Sequence, residues 1–431
     1  MSPERRDRAV LVGIDQGGYQ GISSEESLAE LKALAESAGA SVEATVSQRL
    51  KAPDPRTFIG KGKASEVGEI SRGTDATVAI FDDALSPAQA RNLETELKLR
   101  VIDRSQLILD IFAQRARTLE GKLQVEIAQL AYLQPRLTRQ WSHLSRVRGG
   151  AAGGGGGGGV GGRGGGVGTR GPGETQLEVD RRRLRERLTK LRARLRDVER
   201  TRGIQRRRRL EVPYPTVALV GYTNSGKSTL MNILTGSSVE AANRPFSTLD
   251  PTIRRLRLPN RMTVMLADTV GFIHRLPHML VDAFKATLEE VRTADLLLHV
   301  VDGSSELASE RMEVVDRVLE EIGAGATQRI IVMNKLDLVE HPPRMPGNVV
   351  GISALRGTGL DRLLVEVGRQ LGVSREEVAV TLSASRGDLI AMARRDGEVL
   401  SEEYRDGVVS MRARVSRPVA GRLRKADLAE V

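Results

Sequence analysis

The chain has 431 residues, no cysteine and a formal net charge of +11 at neutral pH. The lack of cysteine excludes disulfides, thiolate metal sites and cysteine nucleophiles, and an apolar fraction of 40% is enough for buried cores and excludes a wholly disordered chain. The charge is concentrated, because residues 113–212 hold 24 basic and 9 acidic side chains, a net of +15, whereas the rest of the chain sums to −4. This one segment is therefore expected to meet a polyanion.

Neither a signal peptide nor a membrane span is expected. The first residues, MSPERRDRAVLVGID, contain no apolar stretch long enough for a signal peptide. No later run approaches the roughly 18 uncharged apolar residues of a membrane-spanning helix. We therefore expect a cytoplasmic protein. We also expect a monomer, and the length predicts about three domains at roughly 150 residues each.

Residues 1–104 alternate strand-like and helix-like patterns. The apolar runs AVLVGI (9–14) and TVAIFD (77–82) are typical of buried strands. Leucines three residues apart in 27–40, and the composition of 86–98, indicate helices. The region is predicted to be a small α/β domain with a parallel sheet.

The segment FIGKGKASEV (58–67) has two interpretations. Its residues Gly60, Lys61, Gly62 and Lys63 could contact a phosphate or RNA, or they could form a plain surface turn. We favour the turn, because the spacing matches no complete phosphate-binding pattern.

Residues 105–212 are predicted to form a basic helical hairpin. Apolar residues at three- and four-residue spacing mark a narrow seam on each of two helices: Leu123, Ile127, Leu130 and Leu137, then Leu184, Leu188, Leu191, Leu195 and Val198. Two such helices joined by a loop would form an antiparallel pair. The alternatives are two separate core helices and a charged face that is merely solvated.

A glycine-rich loop, residues 149–173, separates the two helices. It contains 17 glycines in 25 residues, seven of them consecutive, and such a sequence cannot hold one conformation without help. For residues 151–166 we favour an inert linker. The distal part, GTRGPGETQLEVDRRR (168–183), instead predicts a specific helix start at the tip of the hairpin.

The strongest signal is GYTNSGKS (221–228), which fits the phosphate-binding pattern G-x-x-x-x-G-K-[S/T]. It follows a strand candidate (216–220) and precedes a helical pattern, as this motif requires. The glycines let the backbone wrap around phosphates, Lys227 reaches the β and γ oxygens, and the Ser228 hydroxyl is a ligand for Mg²⁺. The residues expected around the phosphates are Gly221, Tyr222, Thr223, Asn224, Ser225, Gly226, Lys227, Ser228 and Thr229.

A second segment, TVMLADTVG (263–271), is expected to meet the metal and the γ-phosphate. Asp268 at a strand end suits an outer-shell contact to Mg²⁺, and Gly271 lets its amide face the γ-phosphate. The residues assigned to this side of the site are Asp268, Thr269, Val270 and Gly271.

The third and fourth segments indicate which base is bound. IIVMNKLD (330–337) predicts a strand ending at the base, where Asp337 can accept two hydrogen bonds from the N1 and N2 donors of guanine. Adenine lacks that pair, so a buried carboxylate selects guanine. In ISAL (352–355) a backbone amide could meet the guanine carbonyl. The assigned residues are Asn334, Lys335, Leu336, Asp337, Ser353, Ala354 and Leu355, and the four segments in this order predict a GTPase.

The segment RPFSTLDPTIRR (244–255) is expected to complete the magnesium shell. A GTPase needs a threonine here, and both Thr248 and Thr252 qualify by position. The residues expected near the nucleotide are Phe246, Ser247, Thr248, Leu249 and Asp250.

Together, these segments resemble the HflX family of translational GTPases. The resemblance rests on the GTPase motifs, on FSTLDPT and DTVGFIHRLPH (268–278), and on GPGETQLEVDRRR (171–183) and DPRTFIGKGKA (54–64). It covers about residues 20–373, and the poly-glycine expansion departs from it. The resemblance implies that Thr248 binds magnesium beside Ser228. It also implies that the chain binds the large ribosomal subunit and its rRNA and splits stalled or idle ribosomes.

Catalytic roles are assigned to Lys227, Thr248 and Gly271. Directly after Gly271, Ras-like enzymes carry a glutamine that orients the attacking water, but this chain has Phe272. An apolar ring cannot position water by hydrogen bonding, so unaided hydrolysis is expected to be slow. Asn224 is a further candidate, as a contact to a monovalent cation such as K⁺.

The tail, residues 374–431, has strand-like segments around a helical DLIAMARRDG. It is short for a large core of its own and is expected to pack against a neighbour.

The predicted order is a small α/β domain (1–104), the basic hairpin (105–212), a P-loop GTPase domain (213–373) and a small α+β domain (374–431). Two competing functions remain: a GTPase of ribosome assembly, and an RNA-binding module whose affinity is tuned by nucleotide.

Overall fold

The computed structural model describes most of the chain. The described residues are 6–15, 23–136, 172–210, 214–236, 245–246, 251–260, 262–274, 285–341, 345–373 and 375–428. They form three sheets that follow one another along the sequence, with one long helix between the first two.

The first sheet is parallel, as predicted. Its order is β2-β1-β3-β4, and the strands are β1 (Arg8–Asp15), β2 (Ser41–Arg49), β3 (Val78–Phe81) and β4 (Arg100–Asp103). The helices packed on it are α1 (Ser24–Ser37), α2 (Lys61–Gly73) and α3 (Pro87–Leu97). Both α1 and α3 begin at a serine whose side chain accepts from the third helical amide, so local capping explains where they start.

The surface turn expected at 58–67 is wrong. Phe58 and Ile59 are buried, and α2 begins directly after Gly60, whose amide donates to Gln48 Oε1 at 3.0 Å. The helix buries Ala64 and Val67 against the sheet. Two glycines and two lysines concealed this helix, because glycine has a low helix propensity and the buried positions are small.

The described residues that follow include the helices α4 (Arg104–Arg115), α5 (Leu119–Leu133) and α6 (Pro172–Leu210), with a 3₁₀ turn at Gln134–Arg136. The start of α6 agrees with the predicted helix start, and α6 contacts α5. Leu188 and Leu191 are buried, and Arg187 Nη2 bonds Glu126 Oε1 at 2.8 Å across the pair. Leu137 lies outside the described residues.

The structure gives α5 a second buried face beside the predicted seam. Of its expected positions in the described region, Leu123 is buried, whereas Ile127 and Leu130 are only partly buried. Val125, Ala128 and Tyr132 are buried instead, in the core that also holds α4. The helix therefore packs on two sides, because α4 covers a face that a two-helix hairpin would leave to solvent.

The second sheet has six strands in the order β10-β9-β8-β5-β7-β6, with only β6 antiparallel to its neighbour. The strands are β5 (Thr216–Val220), β6 (Thr252–Arg257), β7 (Thr263–Asp268), β8 (Leu296–Asp302), β9 (Arg329–Asn334) and β10 (Val349–Gly351). The helices are α7 (Lys227–Thr235), α8 (Lys285–Arg292), α9 (Ala308–Glu321) and α10 (Leu360–Val373). The predicted strands at 216–220, 263–268 and 330–334 are confirmed.

The C-terminal region has a core of its own, so the expectation that it is too short for one is wrong. It consists of β11 (Arg375–Ser383), α11 (Gly387–Asp396), β12 (Glu398–Arg405), β13 (Val408–Ser416) and α12 (Arg417–Lys425). The antiparallel order is β11-β13-β12. Leu382, Val409 and Leu423 belong to a separate buried cluster. The sequence concealed this because β12 and α12 carry many charged residues.

One hydrophobic core joins the first sheet, the helices and the second sheet. It contains Leu31 and Phe112 from the N-terminal part, Tyr132 from α5, and Phe272 and Val315 from the GTPase part. Along the parts of the chain that the structure describes, no helix combines the length and apolarity of a membrane span.

Candidate nucleotide site

The phosphate loop between β5 and α7 has a backbone that requires glycine at both glycine positions of the motif. Gly221 has φ 149° and Gly226 has φ 95°. A Cβ at Gly221 would lie 2.2 Å from the Val300 carbonyl oxygen, and one at Gly226 would lie 2.2 Å from Asn334 Nδ2. The loop is thus closed on β8 and β9 and leads into the N-terminus of α7, where free amides favour anions.

Lys227 lies inside this loop. Its Nζ donates to the carbonyl oxygens of Gly221 at 3.0 Å and of Tyr222 at 2.7 Å, and the side chain is buried. Burial lowers the pKa of Lys227 to about 8, partly offset by the negative charge of Asp268. At pH 7 the ammonium is therefore charged and available to a polyphosphate.

Ser228 and Asp268 form the part of the site that suits a magnesium ion. Ser228 Oγ donates to Asp268 Oδ2 at 2.8 Å, and both residues are buried. A hydroxyl and a carboxylate beside a phosphate loop are hard oxygen donors of the kind that Mg²⁺ prefers, so the residues present fit the ion. Among the residues the structure covers, no group of three or more acidic or histidine side chains could hold a metal by itself. Nucleotide phosphates would therefore have to supply further oxygens.

Gly271 and Phe272 lie directly against the phosphate loop. A Cβ at Gly271 would lie 2.9 Å from Thr223 Cα and 3.0 Å from Lys227 Nζ. The Phe272 carbonyl accepts from the Thr223 amide at 2.7 Å, and the Phe272 amide donates to the Gly221 carbonyl at 3.1 Å. The Phe272 ring is buried and carries no hydrogen-bonding group. This side chain therefore cannot order a water molecule by hydrogen bonding.

The two residues between Asp268 and Gly271 support the backbone. Thr269 is fully buried and its hydroxyl donates to the Leu219 carbonyl at 2.6 Å, which fixes β7 to β5. Val270 is buried in the core shared with the N-terminal region. Asn224, at the outer side of the loop, is exposed and has φ 60°, a conformation that asparagine tolerates.

The base-side segments are tied to the phosphate loop through Asn334. Its Nδ2 donates to the Ser225 carbonyl at 2.9 Å, and its Oδ1 accepts from the Ala354 amide at 2.9 Å. The Leu336 amide donates to the Ile352 carbonyl at 3.2 Å. One amide side chain thus holds together three of the segments predicted to surround the nucleotide.

Asp337 remains an anion at neutral pH. A hydrogen bond from Ser353 is the main cause that lowers the pKa of Asp337, with the charges of Arg356 and Lys335 acting in the same direction. Arg356 Nε lies 3.9 Å from Asp337 Oδ2. Leu355, which precedes Arg356 in the chain, is 80% exposed, whereas Ala354 is buried.

The segment predicted to complete the magnesium shell is described only at its edges. Ser247, Thr248, Leu249 and Asp250 lie outside the described residues. Phe246 is buried and packs edge-on against Phe112, with ring centroids 4.6 Å apart. Thr252, the other candidate, is the first residue of β6 and pairs in register with Asp268.

Two features of the site were missed in the sequence. Asp302 at the end of β8 accepts from Lys335 Nζ at 2.7 Å and so fixes the base-side segment. The sequence could have indicated Asp302, because this carboxylate follows an apolar run in the same way as Asp268 does. The second feature is the Tyr222 hydroxyl, which contacts α1 at Glu30. The motif gives no signal for it, because any residue is allowed at this position.

The fold and the site define a P-loop GTPase. Three family models match consecutive parts of the chain: the N-terminal region of GTP-binding GTPases at 25–113, their middle region at 115–209, and the 50S ribosome-binding GTPase at 216–335. Among full-length relatives, the GTPase HflX of Escherichia coli K12 is 46% identical over 95% of this chain and 93% of its own. That of Caldanaerobacter subterraneus subsp. tengcongensis is 44% identical over 97% and 93%.

The chain belongs to the HflX family of GTPases, and the resemblance inferred from its motifs is confirmed. Among solved structures, a GTP-binding protein of Sulfolobus solfataricus in complex with GDP aligns with 84% of this chain and 98% of its own. That alignment has 24% identity and a TM-score of 0.43.

Proposed function

We propose that the chain binds the large ribosomal subunit in its GTP-bound form and splits stalled or idle ribosomes. The model matching residues 216–335 describes 50S ribosome-binding GTPases, which supports the subunit as the partner. The observation that carries the proposal is the surface of α6. Its arginines are exposed at positions 181, 182, 183, 185, 192, 194 and 196.

The electrostatics of α6 favour rRNA as the contact. The helix has 39 residues, which at 1.5 Å per residue is about 58 Å. Its apolar seam is covered by α5, so the exposed arginines are left to neutralise phosphates of a structured RNA. A helix of this length could place charge well inside a subunit.

For the nucleotide site we propose the following roles. Ser228 would hold Mg²⁺, together with Thr248 by family resemblance. The bound ion would neutralise the negative charge that develops on the phosphates. Lys227 would contact the β and γ oxygens, the Gly271 amide would face the γ-phosphate, and Asp337 would read guanine. Because Phe272 cannot orient water, the ribosome is proposed to supply or rearrange the group that does so.

Sucrose gradients of intact ribosomes test the proposal directly. Purified protein is added with GTP, a non-hydrolysable analogue or GDP, and Lys227→Ala serves as the nucleotide-binding control. We expect conversion to subunits with GTP or its analogue, none with GDP, and GTP hydrolysis that accelerates when ribosomes are present. Binding only to precursor subunits would support ribosome assembly, and binding indifferent to nucleotide would support an RNA-binding module. Hydrolysis equally fast without ribosomes would contradict the role given to the partner.

A further inference from the structure

The side chain of Tyr222 leaves the phosphate loop and reaches the N-terminal region. Its hydroxyl donates to Glu30 Oε1 on α1 at 2.5 Å and accepts from the His274 amide at 2.9 Å. The residue is 6% exposed, and the Arg311 guanidinium lies 5.2 Å from its ring centroid. One phenol thus bonds both α1 and the segment that follows Gly271.

Glu30 is held from the opposite side by a buried ionic cluster. Arg104, the first residue of α4, is 2% exposed and bonds both Glu30 and Asp82, the latter at 2.6 Å. Asp82 also accepts from Ser27 Oγ at 2.5 Å. Burial, followed by the charge of Glu30, raises the pKa of Tyr222 above its ordinary value, so the phenol stays neutral and can donate. Because Arg104 begins α4 and bonds Asp82, the residue directly after β3, the position of Glu30 follows that of the N-terminal sheet.

Two further contacts join the same two parts of the chain. The Ser37 hydroxyl at the end of α1 donates to the Pro245 carbonyl at 3.2 Å, and Phe112 of α4 packs against Phe246. Pro245 and Phe246 immediately precede the segment that contains Thr248. Both segments expected to respond to the γ-phosphate therefore touch α1 or α4.

We propose that Tyr222 is a positioning residue that couples the nucleotide state to the N-terminal region through Glu30. This inference rests on the proposed role of Gly271 at the γ-phosphate. His274 lies three residues after Gly271, so a shift of this segment on GTP binding changes the bond between the His274 amide and the Tyr222 hydroxyl. Tyr222 also belongs to the phosphate loop, and its carbonyl accepts from Lys227. Glu30, 192 positions away, experiences both changes.

Thermodynamic linkage makes this coupling measurable. If the contact differs between the GDP and GTP states, then its removal must change the ratio of the two nucleotide affinities, because coupling between sites is reciprocal. A residue that only supports the fold would shift both affinities together and leave their ratio unchanged. The ratio is therefore the discriminating quantity.

The experiment uses the full chain with Tyr222→Phe, Glu30→Gln and the double variant. Tyr132→Phe is the matched control, since Tyr132 is also buried and also hydrogen-bonds a carboxylate, that of Asp103. Fluorescent GDP and a fluorescent non-hydrolysable GTP analogue are titrated to obtain both Kd values. We expect each single variant to change the Kd ratio about fivefold, the lower end of typical coupling. The double variant should change the ratio no more than the larger single effect, and the control should stay within twofold of wild type.

Ratios within twofold of wild type in both single variants, or additive effects in the double variant, would overturn the proposal. Lys227→Ala tests the nucleotide site separately, because the proposed site predicts that this variant binds both GDP and the GTP analogue more weakly. If it does so while the Kd ratios stay unchanged in the other variants, the coupling alone is refuted. If Glu30→Gln does not fold, Tyr222→Phe alone decides, since it leaves the pair of Glu30 and Arg104 intact.

Discussion

The residues around Asp337 keep its carboxylate ionised and hold its backbone in a 3₁₀ turn. It follows β9 within the 3₁₀ turn Leu336–Leu338, next to Asn334, which is bonded on both sides. The hydrogen bond from Ser353 keeps the carboxylate ionised. A pair of donors on the base, such as N1 and N2 of guanine, is the natural complement of such a group.

Asp337→Asn is therefore predicted to change base preference from guanine toward xanthine. The amide offers a donor where the carboxylate offers acceptors, and xanthine carries an oxygen at the position of the guanine amino group. We expect at least a tenfold loss of GTP affinity and a gain for xanthosine triphosphate, measured by competition against a fluorescent nucleotide. Retained preference for GTP would refute the base-reading role.

Lys227 predicts how nucleotide binding depends on pH. Burial lowers the pKa of the free protein's Lys227 to about 8, and phosphate contact should raise it again in the complex. Above pH 8 binding must therefore take up a proton, so affinity should be flat near pH 7 and fall by up to about tenfold per unit between pH 8 and 9.5. In Lys227→Arg, which stays charged, the remaining affinity should not fall over this range. An equal decline in both proteins would assign the effect to another group.

At the scale of single residues, one local pattern predicted the phosphate loop that the structure places between β5 and α7. The two loop glycines, Lys227 and Ser228 follow from one motif, because phosphate binding fixes both residue types and spacing. The bond between Tyr222 and Glu30 could not be predicted, since it depends on how two sheets pack, and no local rule relates residues 192 positions apart.

At the scale of elements, α6 combines a covered seam with an exposed basic surface. Leu188 and Leu191 pack inward, and the arginines around them are exposed. The leucine spacing predicted this seam, because α5 is the one element that α6 packs against extensively within the described part of the chain. For α5 the spacing predicted one of two buried faces, because a second neighbour, α4, covers the face that carries Val125, Ala128 and Tyr132.

Neutralising exposed arginines of α6 should reduce the salt dependence of ribosome binding. We expect Arg181→Gln, Arg185→Gln and Arg192→Gln together to weaken binding and to lower the slope of log K against log salt by about 2 to 3, as expected for three lost phosphate contacts. A matched control changes Arg386, Arg405 and Arg414 to Gln in the C-terminal region. Sedimentation at several salt concentrations measures both, and an equal slope in the two triple variants would place the RNA contact elsewhere.

At the scale of the whole molecule, three sheets do not correspond to three separate hydrophobic cores. The first and second sheets share one core, whereas the C-terminal region has its own. Charge and strand patterns predicted the order of these parts along the chain. They did not predict the shared core, because composition does not show which apolar faces meet.

Calorimetry should therefore resolve the C-terminal region as a separate unit. Deleting residues 375–431 should remove one thermal transition and leave the midpoint of the main transition within about 2 °C, because few contacts should be lost from the shared core. GTP binding by the truncated chain should be unchanged. A single transition in the full chain, or a main midpoint lowered by ten degrees, would show that the two cores unfold together.

The shared core also has a consequence for synthesis. Phe112 emerges from the translating ribosome 134 residues before Phe246, the ring that packs against it. At about 5 to 20 residues per second this interval lasts roughly 7 to 27 s. During that time the Phe112 ring on α4 lacks the aromatic partner that it packs against in the finished protein. The contact between the N-terminal region and the GTPase part can therefore form only late in synthesis, after the first sheet and its helices have been made.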